Sequence, residues 1–304
     1  MLSGSEHTIK IFDTHCDTVF ELHKHSLRFD NERTHLSLKQ TEKYELYEQI
    51  FALWSSNKMT PEENWQHFLK TSQYYENEIV PYKSGRFIPH LAVEGGALLD
   101  GRLDRVDMLK QKNVRLMTLV WQDDCCIGGA HNTNRGLSPF GKDVLAKMLE
   151  LDIVPDVSHA SDKMIFETLD RCLNNDHKPV IASHSNSRKI RQHTRNLTDE
   201  MFDGIKRSGG LVGISFCCYH LEDTDVKSAN ITSIIRHIEH YMSLGGQKTV
   251  CLGCDFDGIE ELPDGILGAK SLDLLYNELH KLGYTQELLE DIFYNNAHIF
   301  FENN

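Results

Sequence analysis

Residues 9–22, with the sequence IKIFDTHCDTVFEL, begin as an apolar strand and then place three ionisable side chains on alternate positions. These are Asp13, His15 and Asp17, and an extended strand directs alternate side chains to the same face. Two carboxylates and an imidazole are costly to bury together unless a positive charge neutralises them. The spacing therefore favours a site for a divalent cation.

Further acidic and histidine side chains follow four other predicted strands. The candidates are Glu94 in VEGG, Asp156 and His159 in DVSH, His184 in SHS, and Asp255 and Asp257 in DFDG. Each has a structural alternative, because a single histidine after a strand is commonly a capping residue, and both Glu-Gly-Gly and Asp-x-Asp-Gly are common in turns. Zinc nevertheless prefers these ligand types, and carboxylates can bridge two ions. Two ions about 3.5–4 Å apart would hydrolyse an amide or ester without a serine or cysteine nucleophile.

The segments that must position these residues alternate between strand and helix patterns along the chain. Apolar runs predict eight strands, at residues 8–13, 48–54, 87–94, 114–120, 153–157, 179–183, 210–216 and 249–255. Eight strand–helix units predict an α/β fold, a (β/α)8 TIM-type barrel whose strand carboxyl ends share one rim. A doubly wound open sheet is the alternative, but the chain has neither G-x-G-x-x-G nor a Walker loop. Because no repeat or linker interrupts the pattern, residues 1–304 are predicted to form a single domain.

Composition limits the classes of partner that the chain can bind. Its 304 residues carry 32 basic and 45 acidic side chains, a formal charge of −13. An acidic chain without a basic stripe argues against binding to nucleic acid or to anionic membranes. Since the N-terminus has no basic region followed by an apolar one, and no run of about 18 apolar residues occurs, we expect no secretory signal, no membrane span and a cytoplasmic protein. The eight cysteines include adjacent pairs, a spacing unlike a disulfide framework, so reduced thiols are predicted.

Seven short motifs together resemble those of one known family. In chain order they are FDTHCD, VEGG, GLSPFG, DVSHAS, ASHSNSR, RNLTDE and GCDFDG, and they span residues 12–258. Their combination and order resemble the renal (membrane) dipeptidase family of zinc peptidases, within the amidohydrolase-like barrels. The resemblance implies a barrel that holds two zinc ions and hydrolyses small peptide substrates, namely dipeptides. It also implies a homodimer.

The resemblance implies a role for individual residues. The matched zinc ligands are His15 and Asp17 for one ion, His159 and His184 for the other, and Glu94 as the bridge between them. Asp255 and the bridging Glu94 are the implied catalytic residues. Asp255 matches the acid/base residue that takes a proton from the metal-bridging water, which leaves the attacking hydroxide, and passes that proton to the leaving amine. Arg195, in RNLTDE, matches the arginine that contacts substrate. A guanidinium suits the free carboxylate that a dipeptide carries close to the scissile bond.

One position departs from the pattern of the family. Mammalian-type members have a histidine after Thr-Leu-Thr that contacts the substrate carbonyl, whereas this chain has Trp121 after Thr118-Leu119-Val120. Trp121 is predicted to contact substrate, but an indole N–H donates one hydrogen bond and carries no charge. Hydrolysis of N-acyl amino acids, lactones or β-lactams, deamination of a small cyclic substrate, and a non-catalytic metal-binding homologue therefore stay open as alternatives. The ligand set would also accept Mn, Co or Fe in place of zinc.

Overall fold

The computed structural model describes residues 8–56, 58–174, 178–222 and 226–304. In this part of the chain, seven parallel strands form one curved sheet in the order β5-β4-β3-β2-β1-β7-β6. The strands are β1 Lys10–Cys16, β2 Leu46–Trp54, β3 Phe87–Glu94, β4 Val114–Thr118, β5 Val154–Asp156, β6 Val212–Ile214 and β7 Val250–Leu252. Each corresponds to one of the strands predicted from the apolar runs.

The remaining predicted strand, residues 179–183, is reduced to isolated bridges that close the sheet. Ile181 bridges the end of β5, and Ala182 bridges the start of β6. The ladder ends there because the backbone N–H of Ser183 donates to the carboxylate of Asp156, at 2.9 Å, instead of to a strand carbonyl. The predicted TIM-type barrel is confirmed, with one of its strands shorter than the apolar pattern indicated.

Helices follow the strands and cover the outside of the barrel. The α-helices in the described residues are α1 Thr18–His25, α2 Leu38–Thr41, α3 Pro61–Glu78, α4 Asp104–Gln111, α5 Pro139–Glu150, α6 Asp162–Leu173, α7 Asp199–Arg207, α8 Cys218–Leu221, α9 Ile231–Ser243, α10 Leu272–Lys281, α11 Gln286–Glu290 and α12 Asn296–Asn303. Short 3₁₀ turns lie at Val80–Tyr82, Gly96–Leu99, Val226–Ser228 and Ala269–Ser271, and a π turn at Asp291–Asn295 joins α11 to α12. Side-chain caps set several helix starts, since the Thr60 hydroxyl accepts from Glu63 N at α3 and Ser138 Oγ accepts from Gly141 N at α5.

Two separate apolar clusters form the interior of the barrel and its outer layer. The outer cluster packs the outward faces of the strands against the helices. The inner cluster combines one residue from each extended segment with the C-terminal helical region: Phe12, Ile50, Ala92, Leu116, Val154, Ile181, Leu211 and Cys251, with Tyr294, Ala297, Phe300 and Phe301. Contacts of α12 with the starts of strands, such as Asn296 Nδ2 to Val250 O at 2.9 Å, place this helix at the amino-terminal end of the barrel. The polar residues therefore lie at the carboxyl-terminal end of the barrel.

Strand β1 does not keep the regular alternation that the sequence analysis assumed. Phe12 belongs to the inner cluster and Cys16 to the outer one, although positions four apart in a regular strand share a face. A register shift between Asp13 and Cys16 accounts for the change. Asp13, which the sequence analysis grouped with His15, has a carboxylate that accepts from the backbone N–H of Cys254 at 2.9 Å, and it belongs to neither group of potential metal ligands.

Two further features bear on the sequence-based predictions about environment. Among the residues that the structure describes, no helix combines the length and the apolar character needed to cross a bilayer. All eight cysteines carry free thiols, and Cys16, Cys172, Cys218, Cys251 and Cys254 are buried. Cys251 in β7 and Cys254 just after it form a C-x-x-C sequence, but both are ordinary buried residues.

Candidate active site

The predicted ligands converge on one carboxylate at the carboxyl end of the barrel. Glu94, the last residue of β3, lies at the centre. Its Oε1 atom is 3.1 Å from His159 Nε2 and 3.3 Å from His184 Nε2. On the other side, His15 Nε2 is 3.7 Å from the same oxygen and 3.3 Å from Asp17 Oδ2. Side chains that are far apart in sequence therefore form one cluster, which we call the His–carboxylate cluster.

Asp255, which follows β7, lies at the edge of this cluster. Its Oδ1 atom is 3.9 Å from His15 Nε2. The backbone is left-handed at Asp255 (φ +62°) and at His159 (φ +67°), a conformation that non-glycine residues adopt at an energetic cost and that is typical of functional sites. Gly258 allows a close approach, since a Cβ there would lie 2.3 Å from Asp17 Oδ2 and 2.4 Å from Asp255 Oδ1.

The pKa values of Glu94 and of the three histidines in the cluster are strongly shifted. Burial opposes a charge on His15, but the carboxylates of Glu94 and Asp17 outweigh burial and raise the pKa of His15 to about 10. Burial raises the pKa of Glu94 well above its usual range. Burial also holds the pKa of His159 and of His184 well below the usual range, so both imidazoles are uncharged at neutral pH. The carboxylates thus attract positive charge, and the neutral imidazoles have lone pairs to bind it.

Unpartnered buried atoms indicate that the cluster fits divalent cations. Within the described structure, both ring nitrogens of His15 and Asp17 Oδ1 are buried without a hydrogen-bond partner. Such groups are costly to leave unpaired. Two sets of ligand atoms lie within 4.8 Å of one another, namely His15 with Glu94 and His184, and His15 with Asp17 and Asp255. These sets share His15, so the division of ligands between two ions that the resemblance implies stays a prediction.

Arg195 lies buried beside the cluster, only 4% exposed. Its Nη1 donates to Ser185 Oγ and its Nη2 to the backbone oxygen of His184, each at 3.1 Å. Within the described residues its buried Nε has no acceptor. Burial lowers the pKa of Arg195, while the carboxylates of Asp255 and Glu94 act in the opposite direction. A buried guanidinium that is held by neutral acceptors retains a strong capacity to bind an anion.

A buried aspartate orients His184 through a serine, a role that the sequence analysis did not assign. Ser183 Oγ donates to Asp156 Oδ2 at 2.6 Å and lies 2.8 Å from His184 Nδ1. Thr118 Oγ1 and the backbone N–H of Ser158 also donate to Asp156, at 2.5 and 2.9 Å. Because the Ser183 hydroxyl accepts from Nδ1–H, the Nε2 atom of His184 is left free of a proton and directed into the cluster.

We expect Ser183→Ala to weaken the binding of a divalent cation to the cluster about 10- to 100-fold, because the substitution removes the acceptor that sets the His184 tautomer. The measurement is zinc competition between metal-depleted protein and a chromogenic chelator. Ser183→Thr, which keeps a hydroxyl, should restore most of the affinity. Ser208→Ala, at a buried serine bonded to Ile205 O and Val180 N, is the matched control. Wild-type zinc affinity in Ser183→Ala would contradict the orienting role.

A cavity of about 510 Å³ opens beside the cluster and is lined by two cluster members, Asp17 and Glu94. Trp121, the predicted substrate contact, also lines it, together with Trp54 at the end of β2. The two indoles meet edge to face, with ring centroids 4.8 Å apart and planes at 83°. The sequence analysis did not single out Trp54, although it ends the predicted strand 48–54 and strand ends line the site in this type of barrel.

Asp257, the second aspartate of DFDG, does not join the cluster. Its carboxylate accepts from Thr18 Oγ1 at 2.6 Å and from the backbone N–H groups of His35 and Leu36 at 2.7 and 3.3 Å. Burial raises its pKa. Asp257 therefore fixes the loop that precedes α2 against the mouth of the barrel, which is a structural role.

Comparison with known proteins identifies the family. The sequence model described as membrane dipeptidase, peptidase family M19, matches residues 6–302. The chain belongs to this family. The family predicted from the seven motifs is therefore confirmed. An uncharacterized dipeptidase of Schizosaccharomyces pombe is 29% identical to this M19 chain over 216 residues, which cover 69% of the chain and 51% of the yeast protein. The chain spans 51% to 61% of the length of the curated relatives that it matches.

Solved structures of metallo peptidases share the fold. Dipeptidase AC, a metallo peptidase of family M19, has a TM-score of 0.89 at 22% identity, over 97% of this chain and 98% of its own. A metallo peptidase from Rhodobacter sphaeroides, liganded with a phosphinate mimic of the dipeptide L-Ala-D-Ala, has a TM-score of 0.83 at 22% identity, over 97% and 99%. At this level of identity the likeness concerns the barrel itself.

Proposed function

We propose that the protein is a metal-dependent dipeptidase, which hydrolyses the peptide bond of dipeptides at a site for two zinc ions. The observation that carries the proposal is the His–carboxylate cluster, a buried group of imidazoles and carboxylates with unpartnered ligand atoms. Membership of the M19 family supports the same conclusion.

The proposed ligands of one ion are His15 and Asp17, those of the other are His159 and His184, and Glu94 would be a ligand of both. All five side chains are buried, with the carboxylate of Glu94 between the imidazoles. Ions bound there would polarise the scissile carbonyl and lower the pKa of a water molecule. The protein contributes fixed ligand positions, which the barrel strands and the Asp156–Ser183 hydrogen bonds supply.

Asp255 is the proposed general acid and base. Burial raises its pKa to about 7, with His15 lowering it and Asp17 raising it further. Cations bound in the cluster would lower this pKa, because they favour the ionised carboxylate. A carboxyl group that titrates below or near neutral pH can accept a proton from the attacking water and donate it to the nitrogen of the leaving amine.

Arg195 and Trp121 are the proposed substrate contacts. The guanidinium would bind the C-terminal carboxylate of the substrate, and its hydrogen bond to the backbone of His184, a proposed metal ligand, supports a carboxylate position close to the scissile bond. Peptides with further residues beyond the cleaved bond would have their carboxylate too far away, so dipeptides are favoured. The indole of Trp121 lines the adjoining cavity, where it offers an apolar face and one N–H donor.

The experiment that tests this function combines metal analysis with a substrate panel. Protein purified without added metal is assayed on L,L- and L,D-dipeptides, the latter because the Rhodobacter sphaeroides relative was solved with an L-Ala-D-Ala mimic. We expect hydrolysis of at least one dipeptide, abolished by a chelator and restored by zinc. N-acetyl amino acids, lactones and β-lactams complete the panel. Turnover confined to these compounds would indicate another amidohydrolase, and stoichiometric zinc without any turnover would indicate a non-catalytic homologue.

Three sequence-based expectations stay predictions. They are a homodimer, a cytoplasmic location and a single domain over residues 1–304. The homodimer is tested by light scattering on the purified chain, which should give twice the mass of 34.9 kDa.

A further inference from the structure

One wall of the cavity beside the His–carboxylate cluster is aromatic. Phe20 of α1 packs edge to face on Trp54, with centroids 5.3 Å apart, and Trp54 packs edge to face on Trp121. All three rings are only half-buried, so part of each remains open to the cavity. The Trp121 ring lies 6.3 Å from that of His159, which places the wall next to the cluster. Rings locked against one another present a rigid apolar surface at little entropic cost.

The positions of the charged groups indicate which end of a bound dipeptide would lie in the cavity. Arg195 contacts His184 and Ser185, whereas the cluster members that line the cavity are Asp17 and Glu94. A dipeptide whose carboxylate is bound by Arg195 therefore extends its other end towards the cavity. Its N-terminal ammonium group would meet the carboxylate of Asp17, and the side chain of its first residue would enter the cavity.

The size and the rim of the cavity indicate the chemistry of that side chain. About 510 Å³ lies within the range of pockets that enclose whole small ligands, so there is room for a large group. Charged side chains of both signs also line the cavity, with Lys24 paired with Glu21 at 3.0 Å. Lining carboxylates outnumber lining cations, which disfavours an acidic substrate side chain, and the aromatic wall offers the apolar contact surface.

We propose that Trp54 and Trp121 form a specificity pocket for the first residue of the substrate, and that the enzyme prefers dipeptides in which this residue is large and apolar or aromatic. The inference rests on the proposed dipeptidase function and names its substrate class. Burying an apolar side chain against these rings stabilises the bound state in proportion to the area removed from water.

The test is a matched pair of substrate series, X-Ala and Ala-X, in which X is Gly, Ala, Leu or Phe. For the wild-type holoenzyme, we expect kcat/KM to rise about 10- to 100-fold from Gly-Ala to Phe-Ala, and to change less than about threefold across Ala-X. Trp54→Ala should reduce the ratio of kcat/KM for Phe-Ala to that for Gly-Ala about tenfold, mainly through KM, and should leave the zinc content unchanged. Trp54→Phe should restore most of this ratio. Phe166→Ala, at a partly exposed aromatic residue of α6, is the control and should keep the wild-type profile.

The outcomes separate this inference from the function on which it rests. A steep Ala-X series with a flat X-Ala series would place the second residue in the cavity and overturn the inference, while the dipeptidase function would stand. Two flat series would also overturn it. Because the wild-type series needs no variant, poor folding of Trp54→Ala leaves the test intact. Failure to hydrolyse any dipeptide would overturn the function and this inference together.

Discussion

Asp255→Asn is expected to keep the zinc content of the protein and to lower kcat about 10²- to 10⁴-fold. The amide has nearly the same shape as the carboxylate but cannot accept a proton from water or deliver one to the leaving amine. The measurement is steady-state kinetics on the best dipeptide substrate, with metal analysis of the same protein sample. The wild-type rate should fall as pH decreases through the Asp255 pKa, since a base must be ionised, and this acidic limb should be absent in the variant.

The metal analysis decides between two roles for Asp255. Its carboxylate lies with His15 and Asp17 in one of the two sets of potential ligand atoms. Loss of one zinc equivalent in Asp255→Asn would assign it as a ligand, whereas full zinc content with a low kcat supports the proton-transfer role. Full activity would refute both. Asp257→Asn is a suitable comparison, because that neighbouring carboxylate binds Thr18 and His35 and not the cluster.

Arg195→Ala is expected to raise KM by about two to three orders of magnitude, with a smaller effect on kcat. Removing one partner of a buried charge pair costs about 2–5 kcal/mol, and in a substrate as small as a dipeptide the carboxylate is a large share of the binding energy. An interaction made equally with substrate and transition state affects KM rather than kcat. The measurement is the ratio of kcat/KM for a dipeptide to that for its C-terminal amide.

The amide comparison makes the Arg195 prediction specific. The wild-type enzyme should strongly prefer the free acid, and Arg195→Ala should lose that preference while its rate on the amide changes little. Arg195→Lys keeps the charge but has no planar pair of donors, so partial recovery is expected. Equal losses on acid and amide would show that Arg195 acts by holding Ser185 and His184 in place.

The barrel could be predicted from the sequence because its signals are local. Apolar runs alternate with amphipathic segments, and caps such as Thr60 and Ser138 mark where helices begin. Two local details of the structure differ from the sequence-based prediction, and both are caused by contacts between distant segments. The strand at 179–183 is shortened because Asp156 takes a backbone donor from it, and the alternation of β1 is broken by its register shift with β2.

The sequence by itself determined the family and the set of polar residues at the strand ends, including His15, Glu94 and His184. It could do so because the carboxyl ends of parallel strands in a barrel share one rim, so position along the strand decides proximity. The tertiary structure alone decided which of these side chains meet, that Asp156 reaches His184 through Ser183, and that Trp54 at the end of β2 and Trp121 after β4 face one cavity. Those relations depend on contacts between segments far apart in the chain, which no local pattern encodes.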